Sequence, residues 1–157
     1  MPYNFQIQGL PLQQFKPLFE YTDEKLATMN ACWVTADSEP GFPCRISLMD
    51  AKRGERLLAL TFCHHAVNSP YRASGPIFVR ENAVQNDLDV NQVPDLLLHR
   101  LVSVRAYDAN GFMLDCEVAA GNELSSFIQR FFDNSQCTYL HLHNARPGCF
   151  ICTVIRA

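Results

Sequence analysis

The segment from Thr138 to Val154, TYLHLH-NARPG-CFICTV, constrains the fold more than any other part of this chain. Leu140 and Leu142 alternate with Tyr139, His141 and His143. Further on, Phe150, Cys152 and Val154 alternate with Cys149, Ile151 and Thr153. A two-residue period is that of a half-buried strand. The five residues between, Asn144 to Gly148, are turn chemistry: Pro147 fixes φ and Gly148 is free to take positive φ. If both apolar sets share one face, Leu142 pairs with Phe150 and Leu140 with Cys152. The same register sets His143 opposite Cys149 and His141 opposite Ile151 on the other face. Directly opposed Cβ atoms lie about 4.5–5.5 Å apart, so His143 and Cys149 are expected to touch. A one-residue slip would undo that pairing.

A second hairpin precedes it. Leu101 to Tyr107 and Phe112 to Val118 flank Asp108-Ala-Asn-Gly111, which reads as a type I turn closed by Gly111 in the left-handed region. That register aligns Val102, Val104 and Ala106 with Val118, Cys116 and Leu114 on a buried face, and sets Arg105 opposite Asp115. Asn122 then caps a helix with Leu124, Phe127, Ile128 and Phe131 at i, i+3, i+4 and i+7. Its apolar stripe must cover a sheet. The C-terminal half is thus expected to be ββαββ, and the whole an α+β single domain (residues 1–157) of mainly antiparallel hairpins with helices packed on them.

The first half is plainer. Tyr3 to Ile7 reads as a strand and Leu10 to Phe19 as a short helix interrupted by Pro17. Thr22 is placed to cap a second helix, with Asp23 and Glu24 in its first turn. Ala31 to Ala36, Cys44 to Met49, Arg56 to Cys63 and Ile77 to Arg80 read as strands. Arg56 to Cys63 is apolar on both faces, as a central strand would be. Pairing it with Cys44–Met49 would bring Arg45 near the middle of the sheet. Glu81 to Gln92 reads as a polar loop, and Pro94 to Arg100 as a short helix.

A net charge of −3 leaves no electrostatic footprint for nucleic acid or an anionic membrane. No apolar run approaches the roughly 20 residues that span a bilayer. The N-terminus lacks the charged and apolar regions of a signal peptide, and seven cysteines without one point to reduced thiols. A cytoplasmic location is the expectation.

Three kinds of chemistry are open. His141 and His143 on one strand face suit two imidazoles on one zinc or iron ion, with Cys149, His64 or His65 completing the set. Such histidines are more often plain surface or hydrogen-bonded residues. Cys149 with His143 as base, and Asn144 or Asp115 as orienter, would make a catalytic nucleophile. Cysteine more often behaves as a small buried hydrophobe, the expectation for Cys32, Cys63, Cys116, Cys137 and Cys152. Arg45, Arg72, Arg80 and Arg146, with Ser74 and Gly75, could form an anion pocket, since guanidinium forks bind carboxylate and phosphate. The plain alternative there is internal salt bridges.

The strings PCRISL (Pro43–Leu48), PYRASGPIFVRE (Pro70–Glu81), LVSVRAYD (Leu101–Asp108) and YLHLHNARPGCF (Tyr139–Phe150) resemble a bacterial family known as domain of unknown function 1203. The likeness spans nearly the whole chain. It implies a stand-alone bacterial protein of this size and supplies no activity, cofactor or catalytic residue. The sequence reading therefore rests on a polar pocket between the final hairpin and the PYRASGP loop. Arg72 and Arg146 would hold a small anionic ligand there, with His141, His143 and Asn144 adding polarity. The runner-up is a metal-supported, hydrolytic site on the hairpin histidines, and the third reading is a non-enzymatic interaction module presenting Phe42 or Tyr71. Whether the chain is an enzyme, its oligomeric state and any cofactor are not legible.

Overall fold

The computed structural model describes residues 3–157. In chain order the elements are β1 (Phe5–Gln8), α1 (Leu12–Phe15), α2 (Asp23–Thr28), β2 (Ala31–Thr35), β3 (Arg56–His65), β4 (Ala73–Arg80) and α3 (Asp95–Leu98). There follow β5 (Leu101–Tyr107), β6 (Met113–Ala120), α4 (Leu124–Phe132), β7 (Tyr139–Asn144) and β8 (Phe150–Arg156). Two antiparallel sheets result: a five-stranded one ordered β1-β8-β7-β5-β6 and a three-stranded one ordered β2-β3-β4. The fold is α+β, with the expected ββαββ unit at its C-terminal end. Among the described residues no helix is long and apolar enough to cross a membrane.

The final hairpin forms, with a different register. Leu140 pairs with Val154 and Leu142 with Cys152. A bulge then leaves Ile151 unpaired, so that His143 meets Phe150 rather than Cys149. The bulge rotates Ile151 onto the apolar face beside Cys152, and both join the main core. Phe150, expected on that face, is turned to the histidine side. In the turn the Asn144 amide donates to the Cys149 carbonyl and the Gly148 amide to the Asn144 carbonyl, so that six residues lie between the paired His143 and Phe150 where alternation alone predicts five.

The β5–β6 hairpin also departs by one residue. Its turn is as expected, with Gly111 at φ +79 and the Asp108 carboxylate accepting from the amides of Asn110 and Phe112. A bulge after Tyr107 inserts Leu114, so Arg105 opposes Cys116 and Val102 opposes Ala119. Arg105 therefore does not meet Asp115, whose carboxylate accepts from the Cys116 amide instead. Val118 and Cys116, expected to be buried, lie exposed, as does Cys32. All seven cysteines are free.

One face of the large sheet is a conventional apolar core. Val102, Val104, Ala106, Leu140, Leu142, Cys152 and Val154 pack under Leu124, Ile128, Phe131 and Phe132 of α4. Asn122 does not cap α4; it lies in a 3₁₀ turn, Gly121–Glu123, that leads into the helix. Gly121 is required there, because a Cβ would collide with the Leu97 carbonyl oxygen.

The small sheet carries its own core, in which Leu58, Leu60, Ile77 and Val79 pack on Phe15, Leu18 and Leu26. β3 is the central strand, as expected, but its partners are β2 and β4. The stretch Cys44–Met49 is not a strand. It folds into a buried turn, closed by the Leu48 amide on the Cys44 carbonyl and the Cys44 amide on the Met49 carbonyl. The helix expected over Leu10–Phe19 becomes α1 followed by a 3₁₀ turn, Lys16–Glu20, because Pro17 has no amide to continue an α-helix. Thr22 caps α2 through the Lys25 amide at 3.2 Å.

Candidate functional site

The second face of the large sheet carries Ser103, Arg105 and Tyr107 from β5 and Tyr139, His141 and His143 from β7, paired His143 with Ser103, His141 with Arg105 and Tyr139 with Tyr107. Sequence alternation assigns such a face to solvent. Here the end of β3 covers it. Between Phe62 and His65, β3 gains a residue relative to β4. That bulge lets two consecutive histidines turn to the same side, which a regular strand forbids. The His64 ring lies 5.1 Å from that of His143 and 6.2 Å from that of His141, and the His65 ring lies 5.0 Å from that of His141. Phe150, turned inward by the β7–β8 bulge, stacks on His64 at 5.3 Å. An imidazole layer thus joins the two sheets.

Hydrogen bonding settles the tautomers of two rings. A carbonyl oxygen only accepts, so His65 Nδ1 donates to the Tyr71 carbonyl at 2.7 Å, and its Nε2 accepts from the Tyr139 hydroxyl at 2.6 Å. His143 Nδ1 likewise donates to the Gly148 carbonyl at 2.9 Å, leaving a bare lone pair on Nε2. That Nε2 is buried without a partner, and so are Nδ1 of His141 and Nδ1 of His64.

Burial, and then the neighbouring imidazoles and Arg105, push the His141 pKa down to about 2. Burial chiefly, with Arg105 and His64 against it, takes His143 down to about 4, although its bond to Gly148 works the other way. His64 is lowered by burial, His65 and Arg105. His64, His141 and His143 are therefore neutral imidazoles at ordinary pH. Tyr139 is pushed up to about 12 by burial and by Tyr107, so its hydroxyl stays protonated as the donor to His65.

Two guanidinium groups border this layer without a carboxylate partner. Arg105 Nε donates to Ser103 Oγ at 3.2 Å, and no salt bridge reaches it among the described residues. Arg45 is 1% exposed. It donates from Nε to the Phe150 carbonyl at 2.8 Å, from Nη1 to the Pro43 carbonyl at 2.6 Å, and from Nη2 to Cys149 Sγ at 3.2 Å. Asn144 Nδ2 donates to the same sulfur at 3.2 Å. Burial lowers the Arg45 pKa, and Cys149 offsets part of that.

The residues singled out from sequence are scattered by this arrangement. His141 and His143 are together and joined by His64 and His65. Cys149 is near His143 in sequence, but its polar partners are Arg45 and Asn144. Arg80 is committed to Glu55 at 2.7 Å, while Glu81 pairs with Arg56. Arg72 is exposed and reaches the Val67 carbonyl at 3.4 Å. It lies at the Tyr107 end of β5, where the neighbouring Tyr71 ring sits 6.3 Å from that of Tyr107. Arg146 is exposed at the other end, where the Ala145 amide meets the Leu101 carbonyl. A seven-residue strand, about 20 Å long, separates the two arginines, so they do not converge on one small ligand. Ser74 is exposed, and Gly75 faces open space.

Sequence reasoning missed Arg105 as a site residue because it assigned that side chain to Asp115. Tyr107 and Tyr139 were missed as well. The signal for His64 and His65 was their adjacency at the end of an apolar strand. Among the described residues no group of three or more His, Cys, Asp or Glu side chains is arranged to hold a metal ion.

No curated protein and no solved structure matches this chain. A family model described as a protein of unknown function (DUF1203) matches residues 41–156. The match takes in β3 to β8, and with them the imidazole layer and both unpaired arginines. The chain belongs to the DUF1203 family.

Proposed function

We propose that this protein binds a small anionic ligand at the layer between its two sheets, with Arg105 as the charged anchor. The observation that carries the reading is a local excess of positive charge from two guanidinium groups: Arg105 and Arg45 border the histidine layer, and among the described residues no carboxylate forms a salt bridge with either. A guanidinium without a built-in carboxylate is available to one brought by a ligand. The bare Nε2 of His143 adds a second requirement. It accepts a hydrogen bond, so the ligand that fits best joins an oxyanion to a hydroxyl or N–H donor, as a hydroxy acid does. Ser103 and His141 complete a polar surround. Arg72 and Arg146, too far apart to share one ligand, drop out of the role.

Titration calorimetry with lactate and with inorganic phosphate tests the reading. Saturable binding is expected, weakened at least tenfold by Arg105→Gln and unaltered by Arg72→Ala or Arg146→Ala. Absence of binding, or binding indifferent to Arg105→Gln, refutes it. A second reading, a transition-metal site, draws on three buried ring nitrogens without partners, on His64, His141 and His143, and requires these rings to move, since as they stand they are not arranged to hold an ion. Neutral imidazole is the ligating form, and a carbonyl on Nδ1 is the usual support for a ligating Nε2. Elemental mass spectrometry of protein purified without chelator separates the two, because stoichiometric zinc or iron would favour the metal.

A further inference from the structure

The buried turn from Cys44 to Met49 opens into a cleft of about 620 Å³ between it, the Asn82–Leu88 loop and α3, with His99 also in the wall. That volume is in the range of small-molecule sites, about 300–1,000 Å³. Its charge is the reverse of the imidazole layer's. Four carboxylates line it, from Glu39, Asp50, Asp87 and Asp95. Asp50 is neutralised by Arg100 at 2.6 Å, and the one lining arginine, Arg80, is taken by Glu55. Glu39, Asp87 and Asp95 have no ion-pair partner among the described residues.

An independent feature lies in the same wall. Ser47 lines the cleft, is 8% exposed, and its hydroxyl is buried with no partner. Leaving a hydroxyl desolvated and unsatisfied costs about 1–3 kcal/mol, so a native structure that keeps one is expected to use it. The next residue, Leu48, holds φ at +55, a conformation an ordinary side chain rarely adopts. Strain of this kind persists where the surroundings enforce it and gathers at ligand sites. Here the enforcing contacts are the bonds that close the turn and the seating of Leu48 in the main core, which together hold Ser47 at the cleft. At the rim, Met49 and Val84 are 57% and 75% exposed, an apolar contact beside the acids.

We infer that this cleft binds a small primary amine bearing an apolar group, its ammonium among Glu39, Asp87 and Asp95 and its donor hydrogens shared with Ser47 Oγ. An ammonium supplies the positive charge the three carboxylates lack and the N–H donors that a hydroxyl oxygen accepts. The site is separate from the anion site proposed above and stands without it.

The test is a nitrogen–proton correlation NMR titration of the full chain with benzylamine, with benzyl alcohol and benzoate as neutral and anionic controls. Benzylamine is expected to shift the amides of Ser47, Leu48 and Asp87 saturably. The Asp87→Asn/Asp95→Asn double variant is expected to weaken it at least tenfold, its undisturbed spectrum elsewhere confirming the fold. No saturable shift with benzylamine, equal shifts with benzoate, or undiminished binding to the double variant overturns the inference.

Discussion

The two faces of strands β5 and β7 are built from adjacent residues of the same peptide, yet they obey different rules. On one face Val102, Val104, Leu140 and Leu142 are sealed under α4. On the other, Arg105, His141 and His143 meet His64, His65 and Phe150 from the facing strands. His141 and His143 are 5% and 1% exposed, so these two rings are nearly as buried as the apolar face. The apolar face is held by area removed from water, which is tolerant of detail. The polar face must satisfy donors and acceptors one by one, and it leaves three ring nitrogens unsatisfied. It is on this incompletely compensated burial that the proposed ligand site rests.

That contrast can be broken from the apolar side first. Leu142→Ala removes a fully buried side chain and is expected to cost about 2–5 kcal/mol, measured by urea denaturation. Arg45→Ala strips donors from the Phe150 and Pro43 carbonyls and is expected to cost about 3 kcal/mol; a neutral result would show that water replaces the guanidinium.

The polar face is distinguished by pH. The pKa values of His141 and His143 in the folded chain, about 2 and about 4, lie below the roughly 6.5 of an unfolded imidazole. Below that value the unfolded chain binds more protons, so stability present at neutral pH is lost as pH falls. Each histidine contributes a slope of about 1.4 kcal/mol per pH unit. The loss from His143 runs from about pH 6.5 to about 4, and that from His141 continues toward about 2. Denaturation at pH 7 and pH 5 should therefore show a smaller loss in His141→Gln than in the parent chain. Equal losses would mean that His141 is protonated in the fold. The smallest effects are expected at Arg72→Ala and Arg146→Ala, within about 0.5 kcal/mol of the parent, since both side chains are exposed; a loss near 3 kcal/mol in either would restore it to a buried network.

Much of the framework was legible before any coordinates. The period-two runs located β5 to β8, the i, i+3, i+4 stripe located α4, and Thr22 located the start of α2, because each depends on residues near in sequence. Register was the weak point. Both hairpins were misaligned by bulges, at Ile151 and at Leu114, and a bulge changes neither composition nor period outside one residue. The Arg105–Asp115 pair and the His143–Cys149 contact were lost with those registers.

By itself, the sequence determined an α+β chain with a ββαββ end, an apolar face under α4, and two histidines sharing the opposite face of β7. Local periodicity is enough for that, since a strand's alternation follows from its backbone. Tertiary structure alone decided that the histidine face is covered, and that β3 delivers His64 and His65 to it. It decided as well that Arg45 lies buried in a turn instead of a strand, and that Ser47 is left unpartnered at an acidic cleft. Those outcomes depend on how two sheets meet, and contacts between segments tens of residues apart leave no mark on the period of either one.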